Sequence, residues 1–67
     1  MTYEELIREA RVRYGDVMYL EQQCILNAMA AKPMPGGEGW YRHYMDEAIE
    51  YYNESRKLQK ILELEST

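Results

Sequence analysis

Phenylalanine is missing from this sequence, and cysteine and histidine occur once each, as Cys24 and His43. A lone cysteine excludes an intrachain disulfide, and it cannot join a lone histidine in an ordinary zinc site. No stretch approaches the roughly 18 apolar residues of a membrane span. The start, Met1-Thr2-Tyr3-Glu4-Glu5, has neither the basic residues nor the apolar run of a signal peptide, so a reducing cytoplasm is the expected location. No phosphate-cradling GxxxxGK[ST] motif occurs, and no Ser/His/Asp or Cys/His constellation can be argued. No enzyme activity, cofactor or metal is expected. Cations are also scarce: eight Lys and Arg against twelve Asp and Glu give a formal charge of −4. That balance repels phosphate backbones, so neither nucleic acid nor a membrane is an expected partner.

What the chain does have is helical periodicity, twice, around one break. Thr2 followed by Glu5 is a capping box, and Glu4 and Glu5 suit the positive end of a helix dipole. From Tyr3 the apolar residues Leu6, Ile7, Ala10, Tyr14, Val17, Met18, Cys24, Ile25 and Ala28 recur at spacings of three and four. The stripe keeps its phase across Gly15-Asp16. A glycine costs about 1 kcal/mol in a helix interior, which a stripe of this length absorbs. One helix over about 3–31 is therefore expected. A break at Gly15-Asp16, with Asp16 capping a second helix, is the alternative.

Pro33-Met34-Pro35-Gly36-Gly37 cannot continue that helix. A loop over about 32–39 should reverse the chain. A second helix over about 39–64 follows, striped by Tyr41, Tyr44, Met45, Ala48, Tyr51, Tyr52, Ser55, Leu58 and Leu62. The expected fold is all-α: residues 1–67 form a single antiparallel two-helix hairpin.

Two helices bury one stripe each and leave the flanks wet, and 67 residues sit near the lower limit for a self-sufficient core. With disulfide and zinc excluded, self-association is the remaining support. The simplest form is a homodimer in which two hairpins make a four-helix bundle. A thinner stripe of Val12, Tyr19 and Leu26 on the far side of the first helix is the expected contact, with Met34 and Trp40 as further anchors near the loop. Glu21 interrupts the main stripe. Antiparallel packing suggests a buried polar pair with Tyr51 or Tyr52 that sets the helix register.

The function that follows is non-enzymatic: oligomerisation, or docking to another protein through a helical surface. Size and acidity also make the chain look broadly like the small inhibitor or mimic proteins of phages and mobile elements. On that alternative an acidic row, Asp46, Glu47, Glu50 and Glu54, blocks a basic surface. A second alternative is a small-ligand or metal site between subunits, using Glu21 or the tyrosines.

Overall fold

A computed structural model describes residues 2–66, with side chains through Leu64. Helix α1 runs Tyr3–Ala31 and helix α2 runs Gly37–Ser66, packed against each other as a rod 50 × 16 × 15 Å. The described residues contain no strand. The start of α1 is set by Thr2, whose Oγ1 accepts a hydrogen bond from the Glu5 amide at 3.2 Å. Gly15 does not break the helix. A Cβ built there meets nothing within 4 Å, so the glycine lies on an open surface and only its propensity is unfavourable.

The turn is tighter than its composition suggests, because α2 begins at Gly37 rather than near residue 39. The Lys32 amide still donates to the Ala28 carbonyl at 3.0 Å, closing α1. Met34 then donates to the Ala31 carbonyl at 3.1 Å, and Gly37 to the Met34 carbonyl at 2.8 Å. Gly36 has φ of +71°, a left-handed conformation that glycine adopts without penalty. A side chain on Gly37 would overlap the backbone carbonyl of Ala31. Two adjacent glycines therefore serve two distinct geometric needs.

Two cross-helix contacts fix the register. Arg13 meets Glu54, and Cys24 meets Glu47. Between these contacts, Val17 falls level with about Tyr51 and Glu21 with about Ala48. Small residues on one helix lie level with large ones on the other, as close packing of two rods requires. The seam follows the alternating three-four spacing of an antiparallel coiled coil: Ile7, Ala10, Tyr14, Val17, Glu21, Cys24 and Ala28 against Tyr41, Tyr44, Ala48, Tyr51, Ser55, Leu58 and Leu62.

This seam is narrower than the sequence stripe. The buried hydrophobic residues are Ile7, Ala10, Val17, Cys24, Ala28 and Ala48, and four of those six are alanine or cysteine. Tyr3, Leu6, Met18 and Ile25, expected inside, lie outside, as does Tyr52. The physical reason is geometric: one neighbouring rod covers two heptad columns, and the residues flanking those columns on either side have nothing to pack against. Among the described residues Ser55 is the buried polar one, and its hydroxyl donates back to the Tyr52 carbonyl at 2.8 Å. That local bond satisfies the group without a partner on α1.

Candidate interaction surfaces

The seam divides the rod into two long faces. One carries the polar cross-helix contacts, beside exposed apolar residues such as Leu6 and Trp40. Arg13 reaches across to Glu54 with two hydrogen bonds, Nε to Oε2 at 2.5 Å and Nη2 to Oε1 at 3.1 Å. The guanidinium holds the Glu54 carboxyl below its ordinary range, and the carboxylate raises Arg13 in return. Further along this face, Glu47 accepts from the Cys24 thiol (Sγ to Oε2, 3.6 Å) and pairs with His43 (Nε2 to Oε1, 3.0 Å). Burial pushes the Cys24 thiol up, and the Glu47 carboxylate adds to that by holding the proton. A thiol kept protonated is a poor nucleophile. Among the described residues no three His, Cys, Asp or Glu side chains are grouped to hold a metal ion within one chain.

The acidic row expected to lie open in water is thus partly engaged. Glu47 and Glu54 are half-buried and reach toward α1, while Asp46 and Glu50 remain exposed.

The opposite face is apolar. At 100° per residue, Met18 and Ile25 of α1 project to the side of the seam away from Arg13, and Met45 and Tyr52 of α2 project to that same side. Lys32 marks this edge in the structure, with its Nζ 5.1 Å from the centre of the Tyr41 ring. Met18 and Tyr52 stand at the same level along the rod, as do Ile25 and Met45. Ile49 and Met29 extend the patch outward, both more than half exposed.

The expected anchors Val12, Tyr19, Leu26, Met34 and Trp40 are each half or more exposed. The structure does not gather them into one patch. Val12, Tyr19 and Leu26 line the outer edge of α1, seven residues apart. Met34 sits in the turn. Trp40 stands at the loop end on the polar side, edge-on to His43 (5.9 Å between ring centres, 86° between planes) and 6.0 Å from Tyr44. Tyr19 and Leu26 do share an open trough with Met18, Ile25, Glu21 and Gln22.

Glu21 is half-buried but makes no hydrogen bond to Tyr51 or Tyr52. It stands level with Ala48, one turn away from Tyr51, while Tyr52 leaves the seam and lies 5.9 Å from the Arg56 guanidinium. The polar cross-helix contacts are made instead by Arg13–Glu54 and Cys24–Glu47. Sequence patterning missed both, because each depends on a register that residue spacing within one helix does not carry. Ile49 was missed because it stands alone outside the second stripe.

No helix among the described residues is long and apolar enough to cross a membrane. No protein-family model matches the chain, and no curated protein and no solved structure matches it.

Proposed function

We propose that this hairpin is a non-enzymatic assembly module that pairs with a second copy to form a four-helix bundle, presenting helical surface to itself or to another protein. One observation carries the reading: most of the large apolar side chains lie outside. Among the described residues fourteen large hydrophobic side chains are exposed, whereas the largest fully buried one is Val17. Each Val, Leu, Ile or Met left in water forfeits something like 1.5–3 kcal/mol. A set of buried residues that is mostly alanine, cysteine and serine is a thin return for ordering two helices of 29 and 30 residues.

Surface area points the same way. The chain exposes 5383 Å². A compact monomer of 8.0 kDa exposes about 4,450 Å² by the usual scaling with mass. The surplus, about 900 Å² per chain, belongs to the elongated 50 × 16 × 15 Å rod, and a second rod packed alongside would reduce it.

The acidic-mimic reading is less well supported. Glu54 is tied to Arg13, and Glu47 to Cys24 and His43, so half of the proposed acidic row is already neutralised or engaged within the chain.

Light scattering at low micromolar concentration tests the proposal. The expected mass is twice the 8.0 kDa of one chain. The melting temperature should rise with protein concentration, because folding and association are linked. A single-copy species that melts cooperatively and independently of concentration overturns it.

A further inference from the structure

We draw no further inference here: the strongest candidate, the exposed apolar patch around Met18, Ile25 and Tyr52 beside the seam, carries nothing because nothing in the structure shows what covers it.

Discussion

Arg13 and Glu54 are 41 positions apart in the chain and clasp each other across the hairpin through two hydrogen bonds. Both side chains remain partly in water, at 48% and 38% exposure, so the pair positions α2 against α1 more than it cements them. Its geometry still has a pH signature. Arg13 keeps its charge at all relevant pH, and its hydrogen bonds lower the Glu54 carboxyl from an ordinary value of 4.5. A carboxyl lowered on folding contributes stability that is fully present above the unfolded value. That contribution is lost as pH falls through the folded value. Acid melts of the parent should therefore show a component falling below about pH 4.5 that Glu54→Gln lacks. Circular dichroism melts from pH 2 to 7 at low salt check this. Identical acid profiles for parent and variant would contradict it.

Three glycines should respond to alanine in three different ways. Gly15→Ala adds a methyl that meets nothing within 4 Å on an open helix surface, so it should stabilise by up to about 1 kcal/mol. Gly36→Ala places a Cβ on a residue with φ of +71° and should cost about 1–2 kcal/mol. Gly37→Ala drives its Cβ into the Ala31 carbonyl, where only backbone can yield, and should be the most harmful of the three. Urea denaturation at one fixed protein concentration gives the ranking. A neutral Gly37→Ala would mean the turn relaxes more freely than its hydrogen bonds imply.

The start of α1, its continuity and the break after it were legible in the residues, and the reasons are local. Thr2 and Glu5 meet within one turn, Gly15 costs little where it stands, and the prolines at 33 and 35 stop a helix by covalent geometry. The interior was less legible. Met18 and Ile25 share a helical face with Val17 and Cys24, and only the number of neighbouring helices decides whether that flanking column is buried. One neighbour leaves it exposed. The Arg13–Glu54 and Cys24–Glu47 contacts were hidden for a related reason. Both need the relative slide of two rods, which a five-residue turn sets and no single-helix pattern reveals. Glu21 shows the limit from the other side: its odd position in the stripe was visible, but pairing with Tyr51 required a register one turn away from the real one.

Cys24 should behave as an inert structural thiol. It is buried, and both burial and the hydrogen bond to Glu47 push its thiol above the ordinary range. Reaction with a thiol-specific disulfide reagent at pH 8 should be slow in the folded protein and rapid in denaturant. Replacing the acceptor, as in Glu47→Gln, removes a carboxylate that stabilises the protonated form. The pH at which native Cys24 begins to react should then move down. A native reaction rate equal to that in denaturant would show that the seam opens readily around Cys24.

The sharpest test of the seam is at Val17, the largest fully buried side chain, level with Tyr51. Val17→Ala removes two methyl groups where the facing residue is large and held by its own helix. The gap can close only if the rods move together, and the small residues at Ala10 and Cys24 already bring them close. A loss of about 1–3 kcal/mol is expected, from lost transfer energy plus an unfilled gap. The converse change, Ala48→Leu, puts three extra heavy atoms level with Glu21 on a seam with no room for them, and should cost a similar amount by forcing the helices apart. Combining the two does not relieve the strain, because Val17 and Ala48 lie at different levels of the rod, and their effects should add. A double variant more stable than Ala48→Leu alone would show that the register differs from the one set by Arg13–Glu54 and Cys24–Glu47.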